Sequence, residues 1–290
     1  SILPSLHGEK AVLRLLSKDS TNIEIDALGF LADQLEIYKS GIKKPHGIIM
    51  ISGPTGSGKS TTLYATLKIL NNKETNILTI EDPIEYTLEG INQVQLKESI
   101  GLTFAGALRS FLRQDPDIIM LGEIRDSDTA QMAIRAALTG HLVLSTVHTN
   151  SAWGTVSRLV DMGIPAYLLS DTLNLTVAQR LLRLLCPYCK KEEKFDPGLI
   201  PSNIRIPSKR HFVPTGCEKC YYTGYKGRKA VYEVVKIDPT LNEMIKQGNT
   251  NVSDYLQQNK VKTMKDVALS LLESGETSLE EIYGILISTT

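Results

Sequence analysis

The chain has 290 residues, of which 42% are hydrophobic; this supports a large packed core and argues against a disordered chain. Its 32 lysines and arginines balance 32 aspartates and glutamates, so no overall charge draws it to nucleic acid, although a local basic patch is compatible with this balance. No apolar run approaches the roughly 20 residues of a membrane-spanning helix, and no signal peptide is recognisable.

The first residues predict the end of a preceding domain. Residues 11–16 contain an alternating pattern typical of a strand, and residues 17–22 are polar, as a linker would be. Because the sequence starts at Ser1 without a methionine, we expect a fragment in which most of that preceding domain is absent. Residues 28–40 then predict a helix that ends at Gly41.

The sequence G-P-T-G-S-G-K-S at residues 53–60 matches the phosphate-binding loop of nucleoside triphosphatases. Its glycines let backbone N–H groups turn toward phosphate oxygens, and the following helix adds the positive end of its dipole. We expect Lys59 to reach the β- and γ-phosphates and the Ser60 hydroxyl to bind Mg²⁺. Residues 46–51 predict a buried strand before the loop, and residues 61–70 a helix after it. The predicted nucleotide-binding residues are Gly53, Pro54, Thr55, Gly56, Ser57, Gly58, Lys59 and Ser60.

Three more short apolar runs follow the loop, and each ends in polar residues. They are residues 76–80, 118–121 and 141–144. A helical pattern at residues 103–113 lies between the first and second runs, and another at residues 126–138 lies between the second and third. Strands that alternate with helices predict an α/β fold with a mostly parallel sheet. Because ligands of such sheets bind at the carboxyl ends of the strands, we expect the four polar strand ends to converge on one site.

Two of these strand ends carry carboxylates suited to phosphate chemistry. Glu123 follows the second run and is expected to orient Mg²⁺ or its water shell; the alternative is a solvated acid at a strand end. Glu81, Asp82 and Glu85 follow the first run, and phosphoryl transfer to water needs one carboxylate that orients the attacking water. The alternative here is a solvated acidic turn. The spacing does not select the base, and we favour Glu81 over Glu85.

His148 stands just beyond the fourth strand end. There it can sense the γ-phosphate or couple to a neighbouring subunit, although a lone histidine is more often structural. His141, at the start of the same strand, is expected to be structural. Four arginines in this region can stabilise transition-state charge, but each can equally pair with Asp115, Asp117 or Asp126, and such an ion pair is favoured for each of them. They are Arg109, Arg113, Arg125 and Arg135.

Residues 151–162 and 165–185 predict two further helices, and a loop-rich segment continues to residue 225. This segment contains two C-x-x-C pairs, and four thiolates at this spacing suit a tetrahedral Zn²⁺. Because the cysteines would fill all four positions, the metal is expected to be structural; two redox pairs or free thiols are the alternatives. The predicted ligands are Cys186, Cys189, Cys217 and Cys220. The last predicted helices are residues 241–247, 252–258, 263–274 and 279–287.

Together these motifs resemble those of the secretion ATPases of type II secretion systems and of the similar type IV pilus assembly ATPases. The resemblance extends over nearly the whole chain, from His7 to the C-terminal helices. The paired C-x-x-C elements resemble the assembly and secretion branch, because pilus-retraction ATPases generally lack them. The matching motifs are the Walker A loop (residues 53–60), the aspartate box (80–86), the Walker B segment (112–126) and the histidine box (140–150).

The resemblance implies a RecA-like P-loop NTPase core with a small four-cysteine zinc subdomain and a C-terminal helical region. By motif, Glu123 would be the Walker B acid, Glu81 the candidate base and His148 the histidine-box residue. Arg14 lies where the preceding domain of the family packs against the nucleotide. The implied boundaries are residues 1–18 for the end of a truncated preceding domain and its linker, 19–185 for the ATPase core, 186–225 for the zinc subdomain and 226–290 for the helical region.

The family also implies a homo-hexameric ring that hydrolyses ATP with Mg²⁺. The ring would power type II protein secretion or type IV pilus assembly by acting on an inner-membrane platform protein. The resemblance further implies residence in the cytoplasm, with peripheral attachment to the inner membrane and contact with the cytoplasmic domain of a membrane-anchoring secretion component.

Two other classes of function compete with a motor of this kind. RecA-like rings also translocate nucleic acid, but the neutral charge and the lack of an arginine-rich or aromatic-interleaved segment argue against nucleic acid as a partner. The other class is a nucleotide switch without hydrolysis, or a zinc-bearing scaffold. Such a protein would not need Glu81, Glu123 or His148.

Overall fold

The computed structural model describes residues 2–13, 24–195, 198, 210–249 and 251–288. Within them the chain forms eleven β-strands and ten α-helices. The strands are β1 (Ile2–Ser5), β2 (Gly8–Ala11), β3 (Gly47–Ser52), β4 (Ile77–Glu81), β5 (Asn92–Gln95), β6 (Ile118–Leu121), β7 (Leu142–Val147), β8 (Leu173–Leu185), β9 (Lys191–Lys194), β10 (Arg210–Val213) and β11 (Tyr225–Lys236). The helices are α1 (Ala32–Ile42), α2 (Lys59–Leu70), α3 (Phe104–Phe111), α4 (Ser127–Leu138), α5 (Gly154–Asp161), α6 (Ala166–Thr172), α7 (Pro239–Lys246), α8 (Ser253–Gln258), α9 (Met264–Glu273) and α10 (Leu279–Ser288).

Seven of these strands form the central sheet, in the order β11-β8-β3-β7-β6-β4-β5. Strands β11 and β8 are antiparallel, and every other neighbouring pair is parallel. Ile49 of β3 lies opposite Leu144 of β7 and Leu175 of β8. The predicted α/β fold class is therefore confirmed, and the strands that precede the motifs end at one edge of the sheet.

Helices cover both faces of the sheet, which is why β3, β4, β6 and β7 are buried along their whole length. In β3, Ile48 and Met50 belong to the apolar layer on one face and Ile49 and Ile51 to the layer on the other, and all four are buried. Helices α1 and α2 pack on the face of Ile49, whereas α3 to α7 and the C-terminal helices pack on the opposite face. The core is thus two apolar layers with the sheet between them.

Side-chain caps fix where several helices begin. The carboxylate of Asp126 accepts the N–H of Thr129 at 2.8 Å at the start of α4. Asp238 accepts the N–H of Leu241 at 2.9 Å at the start of α7, where Pro239 occupies the first helical position. Such caps satisfy N–H groups that have no partner inside the helix, and each contributes about 1 kcal/mol.

The prediction of one helix over residues 165–185 is wrong. The structure has the short helix α6 and then the 13-residue strand β8. Strand β8 lies between β3 and β11, and its first seven residues are all buried. A strand that is buried on both faces lacks the alternation that separates strands from helices in a sequence.

Strand β11 was also absent from the sequence prediction. It pairs with β8 over almost its whole length. Because β11 begins at Tyr225, the predicted boundary between residues 225 and 226 falls at the start of a strand of the central sheet. The residues up to Lys236 therefore belong to that sheet, and the predicted C-terminal helices follow as α7 to α10.

The N-terminal residues differ from the predicted strand at residues 11–16. They form a hairpin of β1 and β2 that ends at Ala11. Residues 14–23, which include Arg14 and the predicted linker, lie outside the described residues. Among the described helices, none has both the length and the apolar character needed to cross a bilayer.

Candidate functional site

The phosphate-binding motif forms the loop between β3 and α2. Two of its glycines have a backbone conformation that disfavours any side chain, with φ of +148° at Gly53 and +87° at Gly58. A Cβ at Gly53 would lie 2.4 Å from the carbonyl oxygen of Gln179, and a Cβ at Gly58 would lie 2.9 Å from the amide nitrogen of the same residue. The loop is therefore packed directly against strand β8.

The ammonium group of Lys59 is held by the loop itself. Its Nζ donates to the carbonyl oxygen of Gly53 at 2.7 Å and to that of Pro54 at 3.0 Å. Burial lowers the pKa of Lys59, the Glu123 carboxylate opposes this, and the Arg180 guanidinium lowers the pKa further. Lys59 is thus within electrostatic reach of Glu123, beyond the end of β6, and of Arg180, on β8.

Glu123 and His148 lie next to each other beyond the ends of β6 and β7. One carboxylate oxygen of Glu123 is 2.5 Å from Nη2 of Arg125, and the other is 3.4 Å from Nε2 of His148. Partial burial raises the pKa of Glu123, but Arg125 and His148 together lower it more, so that the pKa lies below its usual range. The stability that the ionised Glu123 carboxylate contributes is therefore present at neutral pH and is lost as the pH falls into the acid range.

Hydrogen bonds fix these strand ends relative to one another. The hydroxyl of Thr146 donates to the carbonyl oxygen of Gly122 at 2.8 Å, and the N–H of Ile124 donates to the carbonyl oxygen of Thr146 at 2.9 Å. Arg125 also faces Asp82, with 3.9 Å between Nη2 and the carboxylate. The ends of β4, β6 and β7 therefore meet around Arg125, as expected for a parallel sheet.

Glu81, the acid that was favoured as the base, lies in an enclosed position. It is 3% exposed, and both of its carboxylate oxygens accept hydrogen bonds. Oε2 accepts from the hydroxyl of Tyr64, whereas Oε1 accepts from the hydroxyl of Thr79 at 2.6 Å and from the amide of Gln93 at 3.0 Å. In this arrangement the oxygens of Glu81 accept from protein donors, whereas a base needs an oxygen within reach of the water that it deprotonates. The assignment of the base to Glu81 stays a prediction, and the two exposed acids of the same strand end, Asp82 and Glu85, are the other candidates.

Two residues of β8 that the sequence analysis did not identify belong to the site. Gln179 donates from its amide nitrogen to the carbonyl oxygen of Ser57 at 2.8 Å and accepts from the hydroxyl of Thr62 at 2.9 Å. Arg180 donates to the amide oxygen of Asn150 at 3.0 Å, and burial lowers its pKa. If residues 173–185 are interpreted as a strand beside β3, the middle of that strand lies next to the phosphate-binding loop, and Gln179 and Arg180 become candidates for the site.

Replacing Gln179 by leucine is expected to lower the free energy of unfolding by about 1–3 kcal/mol, because it removes a hydrogen-bond partner from the Ser57 carbonyl and from the Thr62 hydroxyl. Chemical denaturation measures the change. Gln257→Leu, at an exposed position of α8, is the matched control and should stay within about 0.5 kcal/mol of the starting protein. Equal stability of the two variants would contradict a bracing role for Gln179.

Of the four arginines of this region, Arg125 forms the favoured kind of contact, an ion pair, but its partners among the described residues are not Asp115, Asp117 or Asp126. Arg125 pairs with Glu123 and Asp82, which come from strand ends distant in sequence. Asp126, the nearest aspartate, caps helix α4 instead. Among the described residues, no ion pair is formed by the other three, which are Arg109, Arg113 and Arg135.

The four cysteines come together in one cluster, and their sulfur atoms all lie within 4.8 Å of one another. The sulfur atoms are 3.9 Å apart for Cys186 and Cys217, 3.8 Å for Cys189 and Cys220, and 3.7 Å for Cys217 and Cys220. A tetrahedron with Zn–S bonds of about 2.3 Å has sulfur atoms about 3.8 Å apart, so the spacing fits a four-thiolate zinc site. It is much longer than a disulfide bond, and all four cysteines are free.

Backbone N–H groups surround one sulfur of this cluster. Sγ of Cys220 accepts from the N–H of Cys217 at 3.2 Å and from the N–H of Gly224 at 3.3 Å. Burial raises the pKa of the Cys220 thiol, but these donors, together with the thiols of Cys217 and Cys189, lower it more, to about 6. The thiolate is the form of cysteine that binds metal, so the donors favour a ligand at this position.

Comparison with known proteins gives a family model, described as "Type II/IV secretion system protein", that matches residues 1–284. The type IV pilus assembly ATPase PilB of Myxococcus xanthus is 48% identical over 293 residues, which cover 98% of this chain and 51% of PilB. The type II secretion system ATPase E of Vibrio cholerae is 47% identical over 290 residues, which cover 98% of this chain and 57% of that protein. The chain therefore spans little more than half the length of these curated relatives.

Solved structures with the same fold include a pilus retraction motor and an ATPase. The crystal structure of the pilus retraction motor PilT and bound ADP has a TM-score of 0.72 and 30% identity, covering 98% of this chain and 72% of PilT. The ATPase DotB of Legionella pneumophila has a TM-score of 0.68 and 24% identity, covering 92% of this chain and 66% of DotB. At that identity the similarity to DotB concerns the fold alone.

Proposed function

Because the chain belongs to the family of type II/IV secretion system proteins, we propose that it is the ATP-hydrolysing core of a motor for type II protein secretion or type IV pilus assembly. In this proposal residues 53–60 bind ATP with Mg²⁺, and hydrolysis to ADP and phosphate supplies mechanical work. The pilus assembly and secretion relatives, at 48% and 47% identity, support the two processes equally.

The observation that carries the proposal is the arrangement of charges around Lys59. The loop carbonyls hold its ammonium group, while the contacting pair of Glu123 and His148 lies at the neighbouring strand ends. Hydrolysis of a magnesium-bound triphosphate needs a cation for the phosphate oxygens and a carboxylate for the metal or its water shell. Both kinds of group stand together at the carboxyl edge of this parallel sheet, where ligands of such sheets bind.

Each residue of the site then has a role. The loop would bind phosphates through backbone N–H groups, with the Lys59 ammonium moving from loop carbonyls to phosphate oxygens. The exposed Ser60 hydroxyl and the ionised Glu123 would hold Mg²⁺, which neutralises phosphate charge when bound. His148, in contact with Glu123, would respond to charge at that acid. Arg180 forms no ion pair within the described residues and would add a second cation.

We assign the base to Glu85. Of the three acids beyond β4, Glu81 is enclosed by hydrogen bonds, and Asp82 faces Arg125 at 3.9 Å. Glu85 is exposed, and no described side chain occupies its carboxylate. A carboxylate that is open to solvent can orient a water molecule and accept its proton, which is the task of the base in phosphoryl transfer to water.

The four-cysteine cluster is proposed to hold one structural Zn²⁺. Four thiolate ligands leave no open coordination position for a substrate or a water molecule, so the ion would take no part in hydrolysis. Its role would be to fix the segment that connects the antiparallel strands β8 and β11, both of which belong to the central sheet.

The motor is proposed to act as a homo-hexamer on the cytoplasmic side of the inner membrane. There it would drive a platform protein and attach to the cytoplasmic domain of a membrane-anchoring secretion component. Membership of the family supports this arrangement. Light scattering of the native protein that contains this chain, with ATP bound, measures the number of copies; a strictly monomeric ATPase would contradict the ring.

Substituting glutamine for Glu123 is expected to lower kcat for ATP hydrolysis by the native protein about 100-fold, because the metal loses its ionised ligand. Phosphate release with Mg²⁺ and with EDTA measures the effect, and EDTA should abolish the activity. Glu273→Gln, at an exposed position of α9, is the matched control and should keep the activity. Hydrolysis that survives both EDTA and Glu123→Gln would contradict the proposed function.

A further inference from the structure

Glu81 is a buried carboxylate that has no cation beside it in the described part of the chain. It is 3% exposed, and burial of a charged group is unfavourable unless hydrogen bonds replace its water. Three donors replace it here, namely the hydroxyls of Tyr64 and Thr79 and the amide of Gln93. Glu81 is therefore the centre of a hydrogen-bond network and not a group that is open to substrate.

Tyr64, on helix α2, connects this network to residues 82–88, which we call the acidic loop. Its hydroxyl donates to Glu81 and accepts the backbone N–H of Glu85 at 3.2 Å. Its ring packs edge to face on Tyr86, with 4.5 Å between the ring centroids. Burial, followed by the hydrogen bond to Glu81, raises the pKa of Tyr64, so the hydroxyl keeps the proton that it donates. The helix that begins at the phosphate-binding loop is thus bonded to the acidic loop.

Gln93, on strand β5, holds the other side of the acidic loop. Its amide nitrogen donates to Glu81 at 3.0 Å and to the carbonyl oxygen of Tyr86 at 3.2 Å. Its amide oxygen accepts the N–H of Leu88 at 2.6 Å. Together with the contact from Tyr64, backbone groups at three positions of the loop are bonded to side chains that meet at Glu81.

We propose that Glu81 is a positioning residue, which acts through Tyr64 and Gln93 to hold the acidic loop where Glu85 can serve as the base. The inference deepens the proposed function and rests on it. The base stays aligned with the phosphates because the acidic loop and the phosphate-binding loop are both tied to helix α2. The hydrogen bonds that enclose the Glu81 carboxylate therefore hold Glu85 in the position of the base.

Glu81→Gln and Glu85→Gln separate the two roles, since each preserves size and removes the charge. Glutamine at position 81 still offers an oxygen to Thr79 and Gln93 and an N–H to Tyr64, so kcat for ATP hydrolysis by the native protein should stay within about 5-fold. Glutamine at position 85 accepts no proton, and kcat should fall at least about 100-fold. An inactive Glu81→Gln protein, or an active Glu85→Gln protein, would overturn the inference.

Tyr64→Phe tests the positioning step by itself. It removes the hydroxyl but keeps the ring on Tyr86, so the N–H of Glu85 loses its acceptor. Without nucleotide, hydrogen exchange at that amide should become at least about 10-fold faster. In turnover, kcat should fall about 10-fold while KM for ATP stays within about 2-fold. Tyr167→Phe, at an exposed position of α6, is the matched control and should change none of these values.

The exchange measurement requires no ATP hydrolysis, so the two proposals fail in different ways. A native protein without ATPase activity would contradict the proposed function. A native protein that hydrolyses ATP but shows unaltered exchange at Glu85 in the Tyr64→Phe variant would contradict the positioning role alone.

Discussion

Replacing Lys59 by alanine is expected to lower the affinity for ATP at least about 100-fold and to leave the fold intact. The ammonium group stands at the first residue of α2, where the carbonyl oxygens of Gly53 and Pro54 hold it at 2.7 and 3.0 Å. The variant loses charge-assisted hydrogen bonds to phosphate, and a 100-fold change corresponds to about 2.7 kcal/mol. Alanine is the best helix former, so α2 should still begin at this position.

Isothermal titration with ATP and Mg²⁺ measures the affinity, and circular dichroism checks the fold. Lys73→Ala removes a charge at an exposed position just after α2 and is the matched control. Its affinity for ATP should equal that of the starting protein. A Lys59→Ala protein that binds ATP as tightly as the starting protein would show that the triphosphate is not held at residues 53–60.

Removing zinc from the four-cysteine cluster is expected to unfold β9, β10 and the turns that carry the cysteines, while the central sheet persists. Structural zinc contributes roughly 10–16 kcal/mol of apparent binding free energy in small zinc domains, and strands β9 and β10 form only a two-stranded sheet of their own. Pairing of β8 with β11 should survive, because its hydrogen bonds lie in the buried sheet. Exchange should also rise near Gly275, since Lys190 donates to its carbonyl oxygen at 2.7 Å.

Elemental analysis should find about one zinc per chain, and hydrogen exchange after chelation locates the unfolding. Cys220→Ser should lower the zinc content and reproduce the local unfolding. Glu218→Gln, at an exposed position between two of the cysteines, is the control and should keep its zinc. Global unfolding on chelation, or a chain that binds no zinc, would contradict this account of the cluster.

Much of the fold could be read from local patterns. Residues 46–51 were predicted as a buried strand and residues 118–121 as an apolar strand, and they form β3 and β6 with buried residues throughout. The paired C-x-x-C spacing predicted a cluster that the structure forms at tetrahedral distances. Such features depend on neighbouring residues in the chain, so a sequence alone carries them.

The largest error concerned strand β8. Its apolar run was predicted to be a helix, because a strand covered on both faces shows no alternation of apolar and polar residues. Its partner β11 begins forty residues after β8 ends, at Tyr225, and no local pattern marks such a pairing. Misreading β8 also concealed Gln179, which bonds to the phosphate-binding loop from a strand beside β3, and Arg180, the next residue of that strand.

The order of residues along the chain was enough to name the strand ends that carry acids, the loop that carries Lys59, and the cysteines that cluster, since each follows from a short motif. Which acid is enclosed and which is open was decided only when distant elements packed together. Glu81 is enclosed because Tyr64 arrives from helix α2 and Gln93 from strand β5, and both donate to its carboxylate. Hydrogen bonds between elements that are far apart in sequence cannot be recognised from the spacing of neighbouring residues. At this strand end they determine which carboxylate is enclosed and which is open to solvent.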